Sequence, residues 1–360
     1  MRVYGISVSY YTGKLEAYLR YKGIAYGMAS PYADQKRIRA KVGAIQVPIV
    51  ERDDGRWMSD STPMILQLEK EHPAPAVMPA DPVVRFMGQL IEDYADEWLW
   101  RPAMHYRWSY EHDRALLSRI LVDELMQHIK LPRFVKLMLI KRRQRIGFVV
   151  RDGVTADTRA HVEGSYRNAL RHMTAMLKQR PYLLGTSPSL ADFGMMGPML
   201  RHFGQDPTPA EIMRNEAPAV YEWVARVWNA RETAGEPAFV AEVPADAAGM
   251  LKEIAETHLA QLAANLDAFA KGLTHFDMTV QATHYKHLPV SRYRVWCLEV
   301  LREAFAALTP DERKRTRALL PHPHAEILWR ETIPAKSGYD AAKEAPFNKA
   351  INVYGDGVPR

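Results

Sequence analysis

The sequence predicts an α/β N-terminal domain followed by an all-α domain and a mainly helical C-terminal extension. Short apolar runs typical of strands alternate with helical stretches only at the start of the chain. The segment "HPAPAVMPADP" at 72–82 is rich in proline and lacks apolar periodicity, as expected of a linker. Beyond it, apolar residues recur at helical spacing through most of the chain. We therefore divide the chain into domains at 1–80, 83–238 and 239–360.

The composition is that of a globular protein. Of the 360 residues, 47% are apolar and 25% are charged, which argues against a disordered or membrane-embedded chain. No run approaches the roughly 18 apolar residues of a membrane span, and Lys14, Glu16 and Arg20 lie where a secretory signal would be apolar. The single cysteine, Cys297, excludes an intrachain disulfide and a multi-cysteine metal site. We expect a cytoplasmic protein, since few cysteines suit a reducing compartment.

The net charge of +6 permits anionic partners without identifying one. The positive charge is most concentrated in "KLMLIKRRQR" at 136–145. A membrane-surface patch, a nucleic-acid patch and a solvated helix face are all compatible with this run. Because no nucleic-acid motif accompanies it, we favour the solvated face and expect no nucleic-acid partner.

The N-terminal domain begins with a strand and a helix. "RVYGISV" at 2–8 is predicted to be the first strand. "KLEAYLRYKG" at 14–23 is predicted to be helical, and Gly23 is a typical C-terminal stop. The stretch 24–45 stays unassigned.

A hairpin and a second helix complete this domain. "VPIVE" and "RWMS" are predicted strands joined through Asp54 and Gly55, a dipeptide that favours tight hairpins. "STPMILQLEKEHP" follows as a helix with Ser61 near its N-cap and Pro63 in its first turn.

Helices account for most of the remaining chain. A capping box of Ser189 and Asp192 in "SPSLADF" marks the clearest helix start. "HFDMTVQATHYKHLPV" alternates weakly and is predicted to be a small hairpin. The other helices are predicted at 83–100, 113–130, 133–145, 159–179, 245–271, 291–307 and 310–320.

Several of these motifs resemble those of the glutathione transferase family. "SYYTGKLEAYLRYKG" is similar to the family's Ser-x-x-x-x-Lys/Arg segment, which is followed nine residues later by glycine. "QVP" resembles the Val-Pro before its third strand, and "SDSTPMILQLE" resembles the Glu/Asp-Ser that enters its third helix. "PYLLGTSPSLADF" is similar to the capping box of its helical domain. The resemblance covers residues 1 to about 230 and implies a thioredoxin-like fold; the last 130 or so lie outside the common pattern.

The resemblance implies a binding site for glutathione as co-substrate. Gln46, Val47 and Pro48 would form the loop whose backbone pairs with the cysteinyl residue of glutathione, with a cis bond before the proline. Asp60 and Ser61 would hold the ammonium and carboxylate of the γ-glutamyl end. Ordinary helix capping is the alternative role for the Asp-Ser pair, and the upstream "QVP" favours glutathione binding.

The same resemblance implies a hydroxyl that stabilises the glutathione thiolate, because a free thiol has a pKa of about 8.5. We rank Ser9 first, Tyr10 second and Tyr11 third, with Thr12 also in reach. Ser9 occupies the family's usual serine or cysteine position, although Tyr10 follows where proline or serine is commoner. The two tyrosines could instead pack at a strand-helix junction. No cysteine lies here, which argues against disulfide exchange or a cysteine-dependent lyase.

The acceptor is expected between the two domains. "EDYADEWLWRPAMHYRWSYEHD" at 92–113 is rich in aromatic residues around a predicted kink at Pro102. We assign Trp98, Tyr106 and Trp108 to an acceptor pocket. An aromatic core is the alternative.

Acidic residues in the same stretch bear on oligomeric state. Asp93, Asp96 and Glu97 could face a subunit partner or extend into water. The resemblance implies a homodimer.

We assign no metal site. His284 and His287, with His275 and Asp277 nearby, lie in a segment without the regular helix that their spacing would need. Cys297 is expected to be a small buried residue.

The leading hypothesis is a glutathione-dependent transferase, or a related lyase or isomerase, acting on a small electrophile that is apolar or aromatic. The alternative is a non-catalytic interaction module of the same fold, as in metaxin-like proteins. Fold alone does not decide between them.

Overall fold

A four-stranded mixed sheet forms the first part of the computed structural model, which describes residues 1–231 and 238–350. Its strands are β1 (Arg2–Tyr4), β2 (Gly27–Ala29), β3 (Ile49–Glu51) and β4 (Trp57–Ser59). They lie in the order β2-β1-β3-β4, with β1 and β2 parallel and the other pairs antiparallel. The predicted hairpin is confirmed, and Gly55 takes the positive φ of 81° that its turn needs.

Three helices accompany the sheet: α1 (Tyr10–Tyr21), α2 (Gln35–Val42) and α3 (Ser61–Glu71). The first starts four residues earlier than predicted because Ser9 accepts a hydrogen bond from the amide of Thr12 and so caps it. Gly23, with φ of 63°, follows its end as expected. The unassigned stretch 24–45 contains β2 and α2.

Eight α-helices follow, and the boundary between the first two differs from the prediction. The predicted kink at Pro102 is a complete break: one helix ends at Glu97, the next begins at Trp100, and the proline lies in its first turn. The capping box of Ser189 and Asp192 is confirmed. The helices are α4 (Pro82–Glu97), α5 (Trp100–Ser109), α6 (Glu111–Leu125), α7 (Arg133–Arg145), α8 (Arg159–Leu177), α9 (Leu190–Pro198), α10 (Pro207–Glu216) and α11 (Pro218–Asn229).

The buried carboxylate of Asp192 connects several parts of this helical region. It accepts hydrogen bonds from the amides of Ser189 and Leu183, each at 2.9 Å, and from the indole of Trp223 at 3.0 Å. Burial raises the pKa of Asp192. Helix α9 therefore begins at a rigid point, and it packs against α1 and α4.

The C-terminal extension is helical apart from one hairpin. The single helix predicted at 245–271 is divided in two at Thr257, and the predicted hairpin is confirmed. The elements are α12 (Ala248–Glu256), α13 (His258–Ala270), β5 (His275–Val280), β6 (Thr283–Pro289), α14 (Arg292–Ala306) and α15 (Pro310–Leu319). Helices α12, α14 and α15 pack on α4.

One hydrophobic core joins these regions. Its buried side chains include Val50 of the sheet, Phe193 of α9 and Leu298 of α14. The domain boundaries at 1–80, 83–238 and 239–360 stay a prediction, since the core is continuous across them. None of the described helices combines the length and apolar character needed to cross a bilayer.

Candidate functional site

The loop before β3 has the backbone that the sequence analysis expected. The bond between Val47 and Pro48 is cis. Pro48 is buried, whereas Gln46 and Val47 are half-buried. The loop therefore presents these two residues beside the first strand of the hairpin.

Asp60 and Ser61 lie at the N-terminus of α3. Asp60 has φ of 75° and ψ of 114°, a conformation rare outside glycine, which costs about 1–3 kcal/mol. Asp60 makes no capping hydrogen bond from its side chain, and the hydroxyl of Ser61 has no partner among residues 1–231 and 238–350. The alternative of ordinary capping therefore has no hydrogen bond to support it, and the helix N-terminus offers its amides to an anion.

The carboxylate of Asp60 contacts the C-terminal extension. The hydroxyl of Tyr293, on α14, donates a hydrogen bond of 2.8 Å to it. Burial raises the pKa of Asp60 to about 7, against the lowering effect of this hydrogen bond. The ring of Tyr339 meets that of Tyr293 edge-on at 5.3 Å, so an aromatic group covers this end of the site. No local pattern in the sequence points to Tyr293.

A buried ion network lies next to the start of α3. The ammonium of Lys14 bonds to Glu92, to Asp96 at 2.6 Å and to the hydroxyl of Thr62 at 2.8 Å. Burial acts to lower the pKa of Lys14, but the carboxylates of Asp96 and Glu92 outweigh it and raise the pKa. Lys14 is therefore charged and fixes α1 to α4 and α3.

The acidic residues of α4 pair within the chain. Asp93 lies 2.5 Å from His258 Nε2, and Glu97 accepts a bond of 3.0 Å from Arg294. Asp96 is paired as well, with Lys14. The expectation that these three acidic residues face a subunit partner or water is therefore wrong. The extension covers this side of α4 instead.

The three hydroxyl candidates lie together at the N-terminus of α1 with different partners. Tyr10 donates to the carbonyl of Ala95 and is fully buried. Tyr11 donates to the carbonyl of Asp96 at 3.0 Å. Ser9 only accepts, from the amide of Thr12 at 3.3 Å, so its hydroxyl hydrogen has no acceptor in the described part of the chain. Thr12 itself is buried.

The residues assigned to an acceptor pocket are in the core. Trp98, Tyr106 and Trp108 are exposed by 1%, 0% and 1%. The pocket assignment is therefore wrong for these three residues, and they belong to an aromatic core, which was the alternative. By contrast, Tyr11 and Trp100 are half-buried, and their rings stack at 5.8 Å beside the start of α1.

The C-terminal segment reaches the other side of the site. The carbonyl of Pro346 accepts a hydrogen bond of 2.9 Å from the amide of Ser59, on the outer edge of β4. The amide of Ala350 donates to the carbonyl of Val42 at 2.9 Å, at the end of α2. The extension thus contacts α2, which precedes the loop at 43–48, and β4, which pairs with the strand that follows this loop.

The histidines of the extension do not form a metal centre in the described residues. The rings of His275 and His287 stack at 3.8 Å, and His284 Nε2 is 3.8 Å from Asp277. No group of three or more potential ligands comes together in residues 1–231 and 238–350. Cys297 is buried, and burial raises the pKa of its thiol.

Two family models match the sequence. One, described as the glutathione S-transferase N-terminal domain, matches residues 3–76. The other, described as the glutathione S-transferase C-terminal domain, matches residues 156–226. No curated protein matches the chain.

Among solved structures, similar ones include three bacterial proteins. The beta-etherase LigF of Sphingobium sp. strain SYK-6 shares 18% identity over 63% of this chain and 93% of its own, with a TM-score of 0.45. A glutathione S-transferase of Rhodospirillum rubrum F11 shares 17% over 63% and 87%, with a TM-score of 0.41. A glutathione S-transferase of Methylobacterium radiotolerans, in complex with glutathione sulfonate, shares 16% over 68% and 97%, with a TM-score of 0.39. Likenesses of this size identify no reaction.

Proposed function

Because the chain belongs to the glutathione S-transferase family through its N-terminal and C-terminal domains, we propose that it binds glutathione and activates its thiol for attack on an electrophile. The reaction would be a transfer, or the related elimination or isomerisation. The observation that carries the proposal is the start of α3, where the side chains of Asp60 and Ser61 make no capping bond within the described residues and the helix N-terminus favours an anion.

The γ-glutamyl end of glutathione would be bound here. Its ammonium pairs with the carboxylate of Asp60, and its carboxylate accepts hydrogen bonds from Ser61 and the first amides of α3. Tyr293 donates to one oxygen of Asp60. That donor favours the ionised carboxylate, which the ammonium requires.

The cysteinyl part would lie along the loop at 46–48. The backbone of Val47 pairs with that of the cysteine as if glutathione were an added strand. Gln46 and Pro48 fix the loop around it. This arrangement directs the sulfur toward the N-terminus of α1.

Ser9 is the proposed donor to the sulfur. Its hydroxyl hydrogen has no acceptor among the described residues, whereas Tyr10 and Tyr11 donate to carbonyls of α4. The amides at the start of α1 add a positive potential that also stabilises a thiolate. Ser9 is therefore the catalytic residue, and the two tyrosines hold α1 against α4.

The acceptor would be a small apolar or aromatic electrophile lying against Tyr11 and Trp100. Their stacked rings are half-buried; Tyr11 is two residues after Ser9 in the sequence, in the first turn of α1, and Trp100 is the first residue of α5. A flat ring can stack on such a surface. The three buried aromatics named from the sequence would act only as support beneath it.

A non-catalytic role is the second candidate, and the extension is the observation that favours it. Tyr293 already bonds to Asp60, and the segment at 346–350 lies against β4 and α2. An interaction module would keep the fold while these contacts replace the ligand. Binding of glutathione distinguishes the two candidates.

Quaternary structure and location are also proposals. A homodimer would use a face other than the side of α4 that the extension covers. The single cysteine suits the reducing cytoplasm.

Isothermal titration calorimetry with reduced glutathione tests the proposal. We expect saturable binding to the chain, weakened in the Ser61→Ala variant and unchanged in Ser118→Ala, whose hydroxyl donates to the carbonyl of Ala115 within α6. Conjugation of glutathione to an aryl halide then reports catalysis. No binding at millimolar glutathione would exclude the enzyme and leave the interaction module.

A further inference from the structure

Exposed apolar side chains are concentrated in one segment of the molecule. In the described residues, ten large apolar side chains are strongly exposed, and six of them lie between 131 and 150. Phe134 is 73% exposed and Met138 is 60% exposed. The six are Leu131, Phe134, Met138, Leu139, Ile146 and Val150. A cluster of this kind on one surface marks a site of interaction.

The same surface is strongly basic. The exposed side chains of α7 and its ends include four arginines, and no acidic residue occurs between Leu125 and Arg151. Asp123 pairs with the first arginine from the preceding helix. The arginines are Arg133, Arg142, Arg143 and Arg145. Arg142, Arg143 and Arg145 are exposed, as the solvated face expected from the sequence requires, and apolar side chains share this face with them.

This surface is rigidly held. Ile140, on the opposite side of α7, is buried in a cluster with Leu121 and Val149. A π-helical turn at 146–150 continues the helix and carries Phe148, whose ring meets Trp100 at 5.6 Å. The exposed side chains are thus presented by an element anchored to the molecule, next to the stacked rings described above.

We propose that α7 and the π-helical turn after it form a docking surface for the anionic phospholipids of a membrane. Apolar side chains that enter the acyl boundary and basic side chains that are attracted to anionic lipids both contribute to binding at a membrane interface. Phe134 and Met138 would enter the boundary between headgroups and acyl chains, while the guanidinium groups bind phosphates. The protein would lie on the membrane without crossing it.

The positive charge of this surface distinguishes an anionic membrane from the other possible partners, a second copy of the chain and a nucleic acid. A second copy of the chain would place arginines against arginines, which repel. A nucleic acid would bind the arginines but leave the apolar side chains in water. An anionic bilayer satisfies both kinds of side chain at once.

Co-sedimentation with vesicles tests the proposal. The 360-residue chain is mixed with vesicles of phosphatidylcholine alone and with vesicles that also contain phosphatidylglycerol. We expect binding to the second and little to the first, and a loss of binding as salt is added, because salt screens the attraction between charges. Equal binding to both, or binding to neither, overturns the proposal.

Matched variants assign the binding to this surface. Phe134→Ser with Met138→Ser, and separately Arg142→Gln with Arg143→Gln, should each weaken binding by roughly tenfold or more. Both pairs are exposed, so the fold should survive, and circular dichroism checks this. The controls are Tyr221→Ser with Leu273→Ser, and Lys271→Gln with Lys314→Gln, which are exposed on other surfaces and should bind as the unchanged chain does.

Two other results would overturn the proposal. One is that the control variants lose vesicle binding as much as the variants of α7 do. The other is that the variants of α7, and not the controls, change from dimer to monomer by their sedimentation coefficient. In this case their vesicle binding stays the same as that of the unchanged chain. That result would assign the surface to a second copy of the chain.

Discussion

The hydroxyl of Tyr293 donates a 2.8 Å hydrogen bond to the carboxylate of Asp60, although 233 residues of sequence separate the two. The bond connects the C-terminal extension with the start of α3. A residue outside the two matched domains therefore contacts the group proposed to bind the glutathione ammonium.

Replacing this donor should change how glutathione binding depends on pH. Asp60 must be ionised to pair with an ammonium, and its pKa is about 7, so affinity should increase as the pH rises through 7. Tyr293→Phe removes a bond that favours the ionised form, and the midpoint should move to higher pH. Calorimetry at a series of pH values measures it. Tyr339→Phe is the control, and equal midpoints in the two variants would contradict the prediction.

Asp60 should also reduce stability at neutral pH. Its pKa is raised from 3.8 to about 7 in the fold, mainly by burial. Between these values the folded chain holds a proton that the unfolded chain has lost, so the free energy of unfolding falls as pH rises from about 4 to about 7.

Asp60→Asn removes this dependence. The variant should be more stable than the unchanged chain at alkaline pH, by about 1–2 kcal/mol after allowance for screening by solvent, with little difference at low pH. Urea denaturation at the two pH values measures it. The variant should also lose affinity for glutathione, and a variant less stable at both pH values would refute this account.

Ser61→Ala should weaken glutathione binding by about 1–3 kcal/mol, because the ligand carboxylate loses a charge-assisted hydrogen bond. Thermal stability should hardly change, since the hydroxyl of Ser61 bonds to nothing else among the described residues. Calorimetry and thermal denaturation give the two values. The opposite pattern, with lower stability and unchanged affinity, would restore the capping role.

Ser9→Ala should raise the pKa of bound glutathione toward that of the free thiol while leaving affinity nearly intact. Loss of one donor to a thiolate is worth about 1.5–3 kcal/mol, or one to two pKa units. Ultraviolet absorbance of the thiolate, followed against pH, reports the change.

Two tyrosine variants serve as controls for Ser9. Tyr10→Phe and Tyr11→Phe each remove a hydrogen bond to α4, so they should lower stability by about 1 kcal/mol without moving the thiol titration. A shift in Tyr10→Phe alone would make that tyrosine the activating residue. No shift in any of the three would mean that glutathione is bound without activation.

Lys14→Met should destabilise the fold by about 3–5 kcal/mol, because Glu92 and Asp96 would be left buried without their cation. The loss should be smaller at low pH, because burial raises the pKa of Asp96 and this carboxylate can then take up a proton. Urea denaturation of the variant and of Lys314→Met, an exposed control, measures it. Equal effects of the two substitutions would show that the ion network contributes nothing.

Features set by neighbouring residues could be predicted from the sequence. The turn at Gly55, the stop at Gly23 and the capping box of Ser189 and Asp192 each depend on hydrogen bonds or backbone angles within a few residues. The start of α3 belongs to the same class, whereas the cis bond between Val47 and Pro48 was implied by the family resemblance. Spacing alone carries such information, because the groups that interact are close together in the chain.

Contacts between distant segments were decided by the tertiary structure. Lys14 meets Glu92 across 78 residues, and Tyr293 meets Asp60 across 233. Whether Trp98 is buried and Phe134 exposed likewise depends on which helices pack together, and both are large aromatic residues in helical stretches. Composition and periodicity could mark them as apolar, but only the packing of the junction between α4 and α5, which contains Trp98, and of α7, which contains Phe134, determined which side chain is buried in the core.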